Sequence, residues 1–336
     1  MGASRPTMVD IARAAGVSTA LVSIVMRGVP GASDTTRARV LAVADELGYV
    51  PDQRARKLRQ RRSRVLGVCF GLRHAFHGDL VEQLYVAAAD RGLDLALSAT
   101  APGRHETAAA QALLRERPEA LILLGPTLSD EALDDLAARV PVVALARSTA
   151  ANVSAVISDE RAGIDAAIAH LVGLGHSDIA HVDGAHAPGS DERRTAFRDA
   201  ARRANLTGSR VLTGGLTEVD GIRAARELLD GPLLPTAVVA FNDVCAVGVL
   251  EELRRSGVAV PGDVSVVGFD DSSIARLAHI DLTTVAQDVP GLASGGVAAA
   301  AALASGEPSR RVVLDPHLVV RSTTGPASGH QPGDAT

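Results

Sequence analysis

The sequence predicts an N-terminal all-α helix-turn-helix head joined to an α/β core of two lobes built on parallel sheets. Three observations carry this. Within residues 7–48, two short helical patterns meet at a turn containing Gly16, and a third pattern follows. From residue 65 onward, apolar runs of strand length alternate with stretches of helical periodicity. That is the order of βαβ units and of a parallel sheet covered on both faces. The alternation falls into two successive series of similar size, which suggests two similar lobes with a cleft between them.

The head comes first. Thr7 can accept a hydrogen bond from the first turn of a helix, and Asp10 stands where the helix dipole favours an acid. Val9, Ile11, Ala12 and Ala15 fall on one face, and Gly16 ends the helix as a left-handed residue would. Ser18 caps the next helix, with Leu21, Val22 and Val25 inward and Thr19, Ala20, Ser23, Ile24 and Arg27 outward. Ser33 and Asp34 open a third helix whose expected core face is Val40, Leu41, Ala44 and Leu47; Gly48 stops it. Pro51 and Asp52 can start a short helix carrying one apolar residue, Leu58, among Arg54, Arg56, Lys57 and Arg59. About two turns of helix are not stable alone in water. Such a helix forms only against a partner, and its cations point to phosphate.

Charge is segregated in the same way. Residues 1–64 hold 12 Lys and Arg against 5 Asp and Glu, and the remainder holds 22 against 34. A basic head on an acidic body favours nucleic acid as partner of the head over a plain three-helix bundle with a solvated linker.

In the core, strands are expected at 65–70, 93–97, 120–124, 142–145 and 153–157, with helices near 106–115 and 130–139. A loop is expected over 71–78, before a helix that turns Leu80, Leu84, Ala87 and Ala88 inward. The second series runs helix 161–174, strand 179–182, helix 191–203, strand 210–212, helix 218–229, strand 237–241, helix 243–256 and strand 264–269. Ligands of open α/β sheets sit off the carboxyl ends of the strands.

A chain of 336 residues is too long for one ordinary core and suits two or three domains. No apolar run is long enough to span a bilayer, so no membrane partner is expected, and residues 1–5 are not followed by an apolar signal segment. The two cysteines, Cys69 and Cys245, sit in an apolar strand and an apolar helix; they read as buried free thiols in a reducing cytoplasm. No metal-ligand spacing, no phosphate-cradling glycine loop and no ordered Ser–His–Asp set stands out, so neither a metal, a cofactor nor catalysis is expected.

Several phrases carry a family resemblance: Asp10-Ile11-Ala12, Ala15-Gly16-Val17-Ser18, Leu21-Val22-Ser23, Thr36-Arg37, Val40-Leu41 and Glu46-Leu47-Gly48-Tyr49-Val50-Pro51 in the head. In the core they are His170-Leu171 with Leu174-Gly175-His176, Pro235-Thr236-Ala237 with Asn242-Asp243, Pro261-Gly262-Asp263-Val264-Ser265-Val266-Val267-Gly268-Phe269-Asp270, and Leu282-Thr283-Thr284-Val285 with Gln287. In order and spacing the chain resembles the lactose-repressor (LacI/GalR) family of bacterial transcription regulators over nearly its whole length.

The resemblance implies a type I periplasmic-binding-protein-like core, with the chain crossing between lobes near Asp159, Gln287 and Pro316. It divides the chain into a head at 1–50, a hinge helix and linker at 51–64, a two-lobed effector-binding and dimerisation region at 65–327, and a tail at 328–336 with the composition of a disordered segment. Lobe 1 takes about 65–158 and 289–317; lobe 2 takes 159–288 and 318–327. Thr19, Ala20 and Ile24 take base-reading positions. Ser18, Ser23, Ser33 and Thr36 lie near phosphates, and Leu58 is a minor-groove wedge. Thr7, Arg27, Arg54, Ala55 and Lys57 complete the implied DNA surface. Three of these positions depart from the family pattern. Ile24 stands where a polar or basic base-reader is common, Arg27 where Asn is usual, and Arg54 where an apolar residue often packs two hinge helices together. Ile24 can touch a thymine methyl but cannot hydrogen-bond a base edge, and Arg54 is expected to turn to phosphate.

The implied effector contacts are Phe76, His77, Arg147, Asp159, Arg193, Asn242, Asp270 and Gln287. Arg is a planar donor fork and Asp a two-oxygen acceptor, which together suit a polyol or nucleoside. Asp270 and Asn242 have a plainer use as turn or helix caps, and His74 and His77 as loop surface. The expected function is that of a dimeric, ligand-responsive repressor on a palindromic operator, its effector a sugar or, second, a nucleoside or base. Two rivals are a solute-binding protein, which would lack the basic head, and a sugar- or nucleoside-metabolising enzyme with a regulatory head.

Overall fold

The computed structural model describes residues 6–26, 28–49 and 63–327. The chain forms two compact units, residues 1–63 and 64–336.

In the first unit, α1 (Met8–Ala15), α2 (Thr19–Met26) and α3 (Asp34–Glu46) enclose one small core. Ile11, Ala12 and Ala15 meet Val22 and Val25 of α2 and Val40 and Ala44 of α3. Three expected core positions lie outside it. Val9, Leu41 and Leu47 are exposed, and Leu21 is only half-buried. The reason is angular: at 100° per residue Leu41 stands a full step away from the Val40–Ala44 line, and Val43 with Tyr49 closes that side instead.

The second unit holds two six-stranded sheets. The first gathers β1 (Val65–Gly71), β2 (Asp94–Thr100), β3 (Ala120–Leu124), β4 (Val142–Leu145), β5 (Ser154–Ser158) and a late strand, β11 (Arg311–Leu314). Its order is β11-β5-β4-β3-β1-β2, with every neighbour parallel. The second gathers β6 (Ile179–Val182), β7 (Arg210–Leu212), β8 (Ala237–Ala240), β9 (Ser265–Asp270), β10 (Thr283–Ala286) and β12 (His317–Val319). Its order is β12-β10-β9-β8-β6-β7, parallel except for the edge strand β12, the last in the chain.

Helices cover both faces of each sheet. α4 (Ala75–Ala89), α5 (Glu106–Arg115) and α6 (Asp130–Ala137) serve the first. α7 (Glu160–Gly173), α8 (Ser190–Arg203), α9 (Glu218–Leu229) and α10 (Asp243–Arg255) serve the second. Each sheet therefore has a core on either side, which is why its central strands read as unbroken apolar runs.

One further helix, α11 (Val289–Ala304), is capped by Asp288, whose side chain accepts from the Gly291 N–H at 2.9 Å. It brings the chain back from the second sheet to the first and packs Leu292, Ala293 and Val297 among Leu80, Leu84 and Ala87. Of its three glycines, Gly296 faces the sheet: a Cβ there would lie 2.9 Å from the Leu145 side chain, which would have to shift. The chain passes between the sheets after β5, after β10 and between β11 and β12. The expected loop over 71–78 is a correction, because α4 already begins at Ala75. Among the described residues no single helix is long and apolar enough to cross a membrane.

Candidate effector cleft and DNA-reading helix

In the head, α1 and α2 meet at 106°, within the range of a helix-turn-helix. Thr7 and Asp10 form a reciprocal cap: the Thr7 hydroxyl accepts from the Asp10 N–H at 3.3 Å, and the Asp10 carboxylate accepts from the Thr7 N–H at 2.9 Å. Hydrogen bonds from Thr7 hold the Asp10 carboxyl below its ordinary pKa. Gly16, at φ 63°, makes the left-handed turn that lets α2 start. Ser18 accepts from the Leu21 N–H at 3.2 Å.

Thr19 and Ala20 are then exposed on the first turn of α2. Ser23 and Ile24 are half-buried. Ile24 does not stand free: its Cγ2 is 3.4 Å from where a Cβ on Gly31 would be, so it rests against the turn before α3. Ser33 caps α3, accepting from the Thr36 N–H at 3.3 Å, and its hydroxyl lies 2.9 Å from that of Thr36. Arg27, Arg54, Ala55, Lys57 and Leu58 lie outside the described residues.

In the core, polar groups gather at the strand ends of each sheet. On the first sheet, the early start of α4 places Phe76 and His77 in a helical turn. Phe76 packs into the hydrophobic core under that sheet, and Phe70 at the end of β1 is the aromatic that lines the cavity of about 280 Å³ above it. His77 lines this cavity too; its Nδ1 accepts from the Gly71 N–H at 2.9 Å, and it stacks on His74 at 4.5 Å. Burial, with His74 beside it, pushes His77 down to about 3, so the imidazole is neutral. Arg147 is committed to the backbone, donating to Pro126 O at 2.8 Å and Leu128 O at 2.6 Å.

On the second sheet, Asp159 caps α7, accepting from the Ala162 N–H at 3.0 Å. Asn242 caps α10: its Oδ1 accepts from the Cys245 N–H at 2.8 Å and its Nδ2 donates to Leu216 O at 3.2 Å. These are the plainer uses of both residues. Arg193, Asp270 and Gln287 form a connected network. Ser158 at the end of β5 donates to Gln287 at 2.6 Å, and Gln287 donates to Asp270 at 2.7 Å. The Asp270 carboxylate is 3.9 Å from the Arg193 guanidinium. Arg193 in turn grips Glu160 through Nε and NH2 and donates through NH1 to Phe241 O. It lies over the Phe269 ring at 3.5 Å from its centroid.

Burial drives the Asp270 carboxyl well above its ordinary pKa, against the pull of Arg193. Its backbone is left-handed at φ 113°, as is that of Asp271 at φ 48°, a strain that persists where surrounding structure imposes it.

Sequence reasoning missed Glu160, Ser158, Asp243 and Asp79. Asp243 is fully buried, accepting from the Ser272 N–H at 2.7 Å and from the Ser272 and Thr284 hydroxyls. Asp79 on α4 accepts from the Ser273 N–H at 2.9 Å, a bond between the two sheets' layers. Glu160 reads in sequence as a helix-dipole acid, and nothing local marks it as the partner of an arginine 33 positions on. Among the described residues no group of three or more His, Cys, Asp or Glu is placed to hold a metal ion. A second cavity, about 550 Å³, lies between the ends of β4 and β5 and the starts of α7 and α8, lined by Ser158, Asp159 and Glu160 among others.

This combination of a helix-turn-helix head and a two-sheet core with polar groups at its strand ends defines a regulator of transcription on a binding-protein-like core. Residues 7–52 match the model of bacterial regulatory proteins of the lacI family, and residues 168–324 match the periplasmic-binding-protein-like domain. A LacI transcriptional regulator from a Rhodococcus species is 52% identical over 78% of this chain and 99% of its own, with a TM-score of 0.77. The transcriptional regulator CelR in complex with cellobiose is 30% identical over 95% and 100%, with a TM-score of 0.69. The lac repressor dimer bound to operator and the anti-inducer ONPF is 27% identical over 96% and 100%, with a TM-score of 0.82. The chain belongs to the LacI family of bacterial transcriptional regulators.

Proposed function

We propose that this regulator is a repressor that binds a two-fold symmetric operator as a homodimer and is controlled by a sugar in the cleft between its sheets. The observation that carries the effector reading is the Arg193–Asp270 pair at the strand ends, 3.9 Å apart and continued through Gln287 to Ser158. A donor fork beside an acceptor suits vicinal hydroxyls, each of which donates and accepts. The cellobiose complex of CelR supports a sugar over a nucleoside or base.

The lac repressor dimer on its operator supports the oligomeric state and the DNA target. In this chain α4 and the edge strand β2 expose Tyr85, Val86 and Leu97, apolar side chains a partner protomer would cover. Thr19 and Ala20 would read base edges, with Ser18, Ser33 and Thr36 at phosphates. Residues 51–64, with seven cations against one acid, would supply Arg54, Lys57 and Leu58 to the operator. Effector binding would shift the lobes and so the spacing of the two hinge segments, an equilibrium biased by differential affinity.

A thermal-shift screen of sugars, nucleosides and purines tests the effector class. Ligand at 100 times its Kd adds about 2.7 kcal/mol of stability. Hits confined to purines or nucleosides would replace the sugar reading, and operator selection that returned asymmetric sites would sink the dimeric one.

A further inference from the structure

We propose that Glu160 is a specificity-determining residue that restricts the cleft to uncharged ligands and bars phosphorylated or carboxylated ones. The inference rests on the reading of this cleft as the effector site.

Arg193 is the buried cation of the cleft, and three of its five N–H groups are taken before a ligand arrives. Glu160 takes Nε and one NH2 hydrogen as a fork, and Phe241 O takes one NH1 hydrogen. The guanidinium is clamped as well, 3.5 Å from the Phe269 centroid and 4.6 Å from that of Phe241. Its charge is already balanced by Glu160, whose side chain is itself mostly buried. What remains is the end of the fork where Asp270 stands 3.9 Å away. A hydroxyl satisfies both groups there. A phosphate brings negative charge that a hydroxyl does not: it gains two donors from a cation already neutralised by Glu160 and faces that carboxylate, with Asp270 beside it, where water screens little.

Of the neighbouring cations, Arg147 donates through one terminal nitrogen to two backbone carbonyls and lies 3.8 Å from Asp130, Arg194 is paired with Asp183 at 2.8 Å and Arg161 with Asp199 at 2.8 Å, while Arg311 at the second cavity is exposed, where water screens its charge. On the opposite wall, burial lowers the pKa of both His74 and His77, so that pair adds no positive charge at neutral pH. Removing the charge of Glu160 alone would leave a clamped arginine fork with donors to spare, which is what an oxyanion needs.

The test compares the full-length protein with Glu160→Gln, which keeps the side chain's shape. Thermal shifts are read against inorganic phosphate, against chloride at matched ionic strength, and against neutral hexoses and disaccharides beside their 6-phosphates. The wild type is expected to show no phosphate-specific shift and to prefer the parent sugar to its 6-phosphate at least tenfold. E160Q is expected to gain at least tenfold in apparent affinity for inorganic phosphate. A folded E160Q with no such gain, or a wild type that prefers the sugar phosphate, overturns the proposal. Circular dichroism checks folding, Glu160→Ala is the second variant, and the wild-type comparison decides even if neither variant folds. A phosphate gain in E160Q with no sugar response in either protein would keep the charge gate and sink the sugar reading.

Discussion

The strand ends of the two sheets, the two walls of the proposed cleft, solve the same problem, polar groups at the ends of buried strands, with opposite materials. The wall on the first sheet is locally satisfied. Glu106 accepts from the Thr127 N–H at 2.7 Å, its hydroxyl at 2.8 Å and the Leu128 N–H at 3.2 Å. Arg104 donates to Ser98 Oγ at 2.8 Å and to the Ala99 carbonyl. His74 and His77 stack as neutral rings. The wall on the second sheet is a network of buried ionisable groups, the Arg193–Glu160 ion pair with Asp270, beside Asp243. It reaches through Gln287 to Ser158, where the chain passes between sheets. A ligand that rearranges the second wall therefore perturbs the crossings; one that touches only the first does not. On the effector reading proposed above, recognition and coupling would belong to the same side.

The largest expected effect tests this asymmetry. Arg193→Ala leaves the mostly buried Glu160 without its counter-charge, and breaking a buried pair from one side costs about 3–5 kcal/mol. Arg104→Ala on the first wall removes two hydrogen bonds to uncharged groups and is expected to cost about 1–2 kcal/mol. Urea denaturation at pH 7 measures both. Equal costs would break the contrast between the walls.

A second difference appears in acid. A histidine whose folded pKa is depressed stays unprotonated in the folded state, while the unfolded chain takes up a proton. Stability is therefore lost as pH falls below the unfolded value of 6.5, down toward the folded value. For His77, lowered to about 3, this amounts to about 2 kcal/mol lost between pH 7 and pH 5. His181, buried under the second sheet beside Phe197 and lowered to about 4, adds a slope of the same sign. Asp243 and Asp270, raised by burial, act the other way: their contribution is present at low pH and lost as pH rises through their folded values. Stability curves of His77→Gln at pH 5 and 7 should flatten by about 2 kcal/mol relative to the wild type. An unchanged slope would mean that His77 is not the group that titrates.

The strands and helices were legible because the parallel sheets bury both faces and leave continuous apolar runs, as at Ala120–Leu124 and Ile179–Val182. The caps were legible because Thr7, Ser18 and Ser33 are short polar side chains just before apolar patterns. α11 was not, because VPGLASGGVAAAAALA carries no polar stripe to betray its period. Leu41 and Leu47 misled because a leucine near the helical period looks internal whatever its angle. In the cleft, the resemblance supplied Arg193, Asp270 and Gln287, which the fold brings together. It also supplied Phe76, which the fold puts in the core, since one turn of helix before Leu80 rotates it inward. Glu160 and Asp79 were illegible for a common reason: each acts on a group far along the chain, and only the folded structure sets that distance.

Asp79 gives a smaller test. Its carboxylate receives the Ser273 N–H and lies 3.8 Å from Arg276, joining the layers of the two sheets outside the charged network. Asp79→Ala is expected to cost about 1 kcal/mol and to move the Kd of any cleft ligand by about 5-fold, since about 1 kcal/mol is all the bond can contribute to the lobe equilibrium. Calorimetric titration with the first hit of the screen reads this. No change in Kd would confine coupling to the crossings.

The smallest effect separates capping from recognition within the second wall. Asn and Asp are equally good N-caps, so Asp159→Asn keeps the bond to the Ala162 N–H while removing a charge at the cavity. If Asp159 is a cap, stability changes by less than about 0.5 kcal/mol and ligand affinity does not move. If it also meets the ligand, affinity falls while stability holds. Asp270→Asn is the matched control: it keeps an acceptor for Gln287 but removes the charge beside Arg193, so ligand affinity should fall by about tenfold or more, the loss of one charge-assisted hydrogen bond. A larger loss at Asp159 than at Asp270 would move the centre of recognition from the Arg193 network to the first crossing.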